Sequence, residues 1–408
     1  MQDLFTAWQS AGAGDLGEWS QSWLRTPGID LIQLDRSGEM PVLVRTTPSE
    51  HPADRQHAMS LAAHENGQAW SSEPVTLGAE PVAASGATVG RSVVLDPADQ
   101  TWARFAIDDL TLNALPGLLP TMSDPLMRAS VWNAVRDGVR NALIDPAQAL
   151  ALVEAGLPHE DQDSGVTALG RFAIETLCGS LLKDAVSGLQ KVFVAATARM
   201  LTAELEPGVQ LAAMRAAIAS CADPSQLRGW LSGVELPAGV RVDLDLRWKT
   251  LLRLAALGAV ERSELHEWLE RDRTAQAQVD LTQCLASLPD EEAKAHAWDM
   301  FSGAVDATNH ELDAAGVGFW HRGQEHVTAP YVGRYFAEVG ATAKVRSGYV
   351  LAEAAQVFFP RRSLARSTLE AAQSALADAS LDHSLRRAIE DETDDLTLGL
   401  LARETFQT

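Results

Sequence analysis

The feature that most narrows the fold of this chain is a change of hydrophobic period near Asp108. From Ile29 to Ile107 the apolar residues come in short alternating or clustered runs: "MPVLVRT" (40–46), "HAMSLAAHENG" (57–67), "GRSVVLD" (90–96) and "TWARFAI" (101–107). Turn residues such as Glu65-Asn66-Gly67 and Asp96-Pro97 part them. Side chains alternate across a strand, so Ala103, Phe105 and Ile107 share one face and Trp102 and Arg104 the other. No helical crossover separates these runs. They predict a small β-sandwich rather than a doubly wound parallel sheet.

From Asp109 onward the period is helical. "SDPLMRASVWNAVRDGVRNAL" (123–143) opens with Ser123 or Asp124 as cap and Pro125 in the first turn. "DLDLRWKTLLRLAALG" (243–258) puts Leu244, Trp248, Leu251, Leu252 and Ala255 on one stripe and ends at Gly258. Leu246 and Leu254 widen that stripe until the helix is apolar nearly all round, which predicts burial between layers of other helices. Further helical segments follow at 261–272, 289–304, 346–358, 363–379 and 380–390. The expected fold is α+β and predominantly α: a small β-sandwich followed by a HEAT-like α-helical superhelix of stacked pairs. No clean repeat stands in the letters themselves.

The first residues pose a separate question. Residues 1–25 read as two short helices, the second starting at Asp15 or Gly17 and stopped by Pro27-Gly28. Within "GEWSQSWLRTPGID" (17–30), Trp19 and Trp23 are four apart and share a face of a regular helix, and Trp8 precedes them. Chain termini are usually polar. Such a stripe either folds back on its own chain or belongs against a domain that comes before it.

Composition excludes several classes. The 408 residues are 46% apolar and 22% charged, a globular balance long enough for two or three domains. A net charge of -22 repels nucleic acid and anionic membranes, so neither is an expected partner. No window is apolar for long enough to span a bilayer, and the start lacks a signal-peptide pattern. Cys178, Cys221 and Cys284 are far apart and odd in number, which fits a reducing compartment and a cytoplasmic location.

No complete catalytic motif is present. A zinc hydrolase of the H-E-x-x-H type needs two histidines one helical turn apart. His64-Glu65-Asn66-Gly67 is a turn, His266 has Glu270 at the fourth position, and His310 has Ala314 there. His266 with Glu270 reads as a solvated helix face. "FWHRGQEHV" (319–327) gathers His321, Glu325 and His326 in what reads as a surface loop. Gly86 and Gly90 lack the lysine and helix of a phosphate cradle, and there is no nucleophile elbow. The cysteines have no basic neighbours in sequence and read as buried packing. Arg361, Arg362 and Arg366 in "FFPRRSLARS" form a basic run at a helix start, with solvent exposure the first reading and a carboxylate clamp the second.

Particular stretches carry a resemblance to zinc-dependent aminopeptidases of the aminopeptidase N family, especially the actinobacterial kind. "DLGEWSQSWLRTPGID" (15–30) resembles the end of that family's catalytic domain, and "VVLDPADQTWARFAIDDLTLNAL" (93–115) is similar to the exit of its β-sandwich, although Pro97 and Ala98 stand where that turn is usually more acidic. "DPLMRASVWNAVRDGVRN" (124–141) looks like the first long helix of its C-terminal domain. "DLDLRWKTLLRLAALGAV" (243–260) with "ERDRTAQ" (270–276) is the most specific match, and "APYVGRYFAEV" (329–339) adds to it. Asp245, Arg247 and Trp248 mark the family but read as helix-packing residues.

The resemblance implies three segments: 1–28 as terminal helices of a missing catalytic domain, 29–107 as the β-sandwich linker domain, and 108–408 as the C-terminal α-helical domain. Zinc and catalysis belong to the upstream thermolysin-like domain, with its H-E-x-x-H, a distant glutamate, a Gly-x-Met-Glu-Asn strand and a tyrosine. None of these is in this sequence, so no catalytic residue, metal ligand or cofactor is assigned to it, and the chain alone is expected to be inactive. The implied role is to close the active-site chamber and shape the access of peptide substrates, with the catalytic domain as intramolecular partner. Trp8, Trp19 and Trp23 are then domain-interface residues, and self-association through that N-terminal face is expected. The alternative is a free-standing helical-repeat scaffold that binds peptides or a separately encoded peptidase domain.

Overall fold

A computed structural model describes residues 2–65, 68–88, 90–182, 186–202, 205–234, 236–237 and 239–407. The chain divides into two compact units, Met1–Ile144 and Asp145–Thr408. No helix among the described residues is long and apolar enough to cross a membrane.

The first unit is built on two facing sheets. One has the strands β1 (Leu31–Asp35), β2 (Val42–Thr46), β5 (Val82–Ala83) and β7 (Arg104–Ala106) in the order β5-β2-β1-β7. The other has β3 (His57–His64), β4 (Ser71–Leu77) and β6 (Ser92–Leu95) in the order β4-β3-β6. Among the described residues only the β1–β7 pair is parallel. Alternate residues point inward as the pleat requires. Ile32 and Leu34, Met59 and Leu61, Val75 and Leu77, and Val93 and Leu95 make one core between the sheets. Phe105 and Ala103 pack on that core while Trp102 stays 71% exposed, as the alternation in 101–107 predicts. The turn expected at Glu65-Asn66-Gly67 involves residues 66–67, which lie outside the described residues.

Helices α3 (Asp109–Leu118) and α4 (Pro125–Arg140) belong to this unit. Asp108 caps α3 and Asp124 caps α4, each accepting from a first-turn amide. Thr111 Oγ1 accepts from the Val93 amide at 2.8 Å and Arg104 pairs with Asp137 at 2.9 Å, which fasten the helices to β6 and β7.

The N-terminal segment holds α1 (Gln2–Ser10) and α2 (Gly17–Ser20), and α2 runs on into a π-helical turn at Gln21–Arg25. Here the expected tryptophan stripe divides. Trp19 packs against Phe5 and Trp8, with ring centroids 6.5 and 6.2 Å away, whereas Trp23 sits 5.1 Å from the His57 ring. A π-helix takes more residues per turn than an α-helix, so the spacing of four no longer places both rings on one face.

The second unit is helical. Its elements are α5 (Pro146–Gly156), α6 (Asp163–Arg171), a π-helical segment Phe172–Leu181, α7 (Val186–Thr202), α8 (Pro207–Ser220), α9 (Pro224–Leu231), α10 (Leu244–Ala256), α11 (Arg262–Arg271), α12 (Ala275–Ala286), α13 (Glu291–Ser302), α14 (Asn309–Phe319), α15 (Glu325–Glu338), α16 (Gly348–Phe358), α17 (Arg366–Leu376) and α18 (His383–Phe406). Even-numbered helices from α6 to α18 stack each on the next. In the second layer α13 packs on α15 and α15 on α17, while α9, α11, α13 and α17 each pair with the helix that follows. This is the stacked-pair arrangement expected of a HEAT-like array.

The helix starts are written into the sequence. Asp145-Pro146 and Asp223-Pro224 combine a capping carboxylate with proline at the first position, and Thr308 with Glu311 forms a capping box. In α10, Leu246, Trp248, Leu251, Leu254 and Ala255 are buried, while Leu244 at its start is 46% exposed. Helix α18 extends the segment read over 380–390 to Phe406. Leu385, Ile389, Thr393, Leu396 and Leu400 carry one buried stripe straight through the acidic run at 390–395.

Candidate functional site

The second unit contains a cavity of about 600 Å³. Its walls come from the π-helical segment (Ala173, Ile174, Cys178, Gly179), the end of α8, the last turn of α10 (Arg253, Ala256, Leu257), the loop 320–324 and Arg362. Arg253, Arg322 and Arg362 line it against one carboxylate, Glu325. In a chain of net charge -22 this is a local inversion of sign.

Each guanidinium is fixed by backbone carbonyls. Arg253 donates from Nε to Cys221 O at 2.6 Å, and Arg362 donates from Nε to Trp320 O at 3.0 Å and from Nη1 to Gly179 O at 3.2 Å. Arg322 donates from Nη2 to Leu182 O at 2.8 Å. Burial pulls Arg253 and Arg362 below the ordinary arginine range, yet a guanidinium stays charged at any physiological pH. The carbonyl partners of Arg253 and Arg362 orient these two groups without neutralising them. An anion entering the cavity therefore meets preorganised, partly desolvated cations, where Coulomb attraction exceeds its value in water.

His321 adds an acceptor. Its Nε2 lies 3.0 Å from Ser287 Oγ, and the Ser287 hydroxyl itself donates to Gln283 O at 2.7 Å. The imidazole must then donate from Nε2, which leaves Nδ1 with its lone pair. Burial, followed by the nearby Lys294, Arg362 and Arg253, pushes its pKa down to about 3, so the ring is neutral. The cavity thus presents cationic donors, one neutral acceptor, and an apolar wall of Ala173, Ile174, Ala219, Ala222, Ala256 and Leu257.

The residues singled out in sequence separate in space. His321 is turned into the cavity wall instead of standing on a surface loop, because Ser287 captures its ring. Glu325 accepts from the Gly323 amide at 3.1 Å, and His326 is exposed. His266 and Glu270 are exposed on α11, with His266 on a separate groove and Glu270 paired to Arg273. Among the described residues no group of three or more His, Cys, Asp or Glu side chains converges to hold a metal ion.

The basic run at 361–366 splits in three. Arg361 reaches Glu392 at 3.0 Å, Arg366 reaches Glu404 at 2.6 Å, and Arg362 turns into the cavity. Burial pushes the Cys178, Cys221 and Cys284 thiols up, so none is an activated nucleophile. Asp245 pairs with Arg215 and Lys249, Trp248 donates to Asp272 at 3.0 Å, and Arg247 lies over Trp268, all helix-packing contacts. Trp8 and Trp19 are 41% and 39% exposed, and Trp23 is half-buried on the sandwich.

Arg253 and Arg322 were not legible as site residues in the sequence. Arg253 sits on a helix read as apolar nearly all round, and that contrast is the only sequence signal for it.

The family comparison now has a geometry to attach to. A model of the family described as the ERAP1-like C-terminal domain matches residues 92–398. Aminopeptidase N of Streptomyces lividans is 28% identical over 430 aligned positions, which take in 99% of this chain and 50% of that protein. The chain thus spans about half the length of the curated relative it matches. It belongs to the ERAP1-like C-terminal domain family and corresponds to the C-terminal portion of aminopeptidase N-type proteins.

Proposed function

We propose that this chain is the non-catalytic C-terminal part of an aminopeptidase N-like zinc aminopeptidase, in which its helical unit closes the chamber and receives the distal end of the peptide. The observation that carries the reading is the arginine-lined cavity. A peptide held for removal of its N-terminal residue ends in a carboxylate, and Arg253 and Arg362 offer oriented donors for that group. The apolar wall beside them takes the last side chains. Family membership and the sequence likeness to an aminopeptidase N support the assignment to this class of enzyme. The zinc and the scissile-bond chemistry lie with the catalytic domain, and the exposed Trp8 and Trp19, packed over the buried Phe5, are the surface proposed to meet it.

Metal analysis and aminoacyl-anilide hydrolysis on the purified chain test this reading. It expects no turnover and no stoichiometric zinc. Tightly bound zinc with turnover would overturn it.

A further inference from the structure

The carbonyl end of the π-helical segment Phe172–Leu181 is held from three directions. Arg362 donates to Gly179 O at 3.2 Å, Arg403 to Leu181 O at 3.4 Å and Arg322 to Leu182 O at 2.8 Å. These arginines come from the loop after α16, the end of α18 and the loop after α14, and they lie 183, 222 and 140 residues from their partners. Three later parts of the unit thus grip this early segment, which also packs on α18. Cations suit a helix C-terminus, where unpaired carbonyls carry partial negative charge.

Two further observations show that the grip is specific. A Cβ on Gly179 would stand 2.5 Å from Arg362 Nη1 and 2.8 Å from Ile174 O, so only glycine admits this approach. The segment is also π-helical over ten residues, a winding that is rare at this length and less favourable than the α form. Such a segment depends on outside contacts to keep its shape, and it supplies Ala173, Ile174, Cys178 and Gly179 to the cavity.

We propose that Phe172–Leu181 is a movable wall of the cavity, held shut by Arg322, Arg362 and Arg403 acting as a clasp on its carbonyl end. Release of the clasp frees the end of the segment and opens the cavity on the Cys178 side. This holds whichever anion the cavity accepts, so it stands apart from the peptide-binding reading.

Cys178 reports on the wall because it is half-buried there, while Cys221 and Cys284 are buried in the helix core. The experiment is alkylation by iodoacetamide, resolved cysteine by cysteine through peptide mass mapping. Two variants release the clasp independently: Arg322→Ala with Arg403→Ala, and Arg362→Ala. Each is expected to speed Cys178 alkylation by about tenfold or more while Cys284 stays protected, the signature of local rather than global opening. Arg322→Lys with Arg403→Lys is expected to keep the rate close to that of the parent protein. An unchanged Cys178 rate in both variants would overturn the proposal. So would a rise at Cys284 in step with Cys178, since that marks general loosening of the unit.

Discussion

Arg55 Nη1 lies 2.7 Å from Asp30 Oδ1, with 4% of the arginine side chain and none of the aspartate exposed. The same guanidinium donates to Ser22 O at 2.8 Å and Thr26 O at 2.9 Å. Asp30 also accepts from Arg45 at 2.9 Å and His57 at 3.1 Å. One buried carboxylate thus fastens the segment carrying Trp23 to the sandwich. Burial raises its pKa, but the bonds from His57, Arg45 and Arg55 outweigh that and hold it below the ordinary carboxylate range.

Asp30→Ala leaves Arg55 buried without its counter-charge and Arg45 with only the exposed Asp54, 3.7 Å away. Breaking a buried pair in this way costs roughly 3–5 kcal/mol. Urea unfolding followed by Trp fluorescence should show a loss of that order, and a change below about 1 kcal/mol would contradict the role given to Asp30.

The sandwich, the switch to helices and most helix starts were legible because each rests on local chemistry. Asp124-Pro125, Asp243 and Thr308 mark helix starts by residue type alone, and Ala103, Phe105 and Trp102 sort to their faces by alternation. Long-range pairings were not legible. Arg362 separates from Arg361 only because Trp320 O and Gly179 O lie within its reach, and no spacing in the sequence encodes that. The Trp19/Trp23 stripe misled for a local reason, since the π-turn at 21–25 carries no residue signature that distinguishes it from α.

Lys294 on α13 is fully buried and donates from Nζ to Ala286 O at 2.6 Å and Phe319 O at 2.8 Å, binding the ends of α12 and α14. Burial pushes its pKa down to about 7, against a smaller opposing pull from Asp290. Between that value and the unfolded value near 10.4 the unfolded chain binds more protons. Stability should therefore rise with pH across this window, by about 1.4 kcal/mol per pH unit at most, with the full penalty present below 7. Lys294→Met removes the titration. Urea midpoints measured from pH 7 to 10 should show the parent protein gaining on the variant, and parallel curves would count against the assignment.

Gly316 and Gly318 let α14 approach its neighbours. A Cβ on Gly318 would lie 2.5 Å from Gln283 O, and one on Gly316 would lie 2.3 Å from Val357 Cγ2. Backbone at Gln283 cannot rotate away as a side chain can. Gly318→Ala should therefore cost about 1–3 kcal/mol by overpacking, despite the better helix propensity of alanine. Thermal melts decide it, and an unchanged or higher midpoint would show that α12 and α14 separate without penalty.

The central claim is that the cavity takes a peptide's carboxylate through Arg253 and Arg362. Isothermal titration of the purified chain with one peptide, as free acid and as C-terminal amide, tests it most directly. The free acid should bind at least about tenfold more tightly, a difference of about 1.4 kcal/mol. Arg253→Met should narrow the gap between free acid and amide and leave the amide unchanged. Equal affinities for acid and amide in the parent protein would contradict the account.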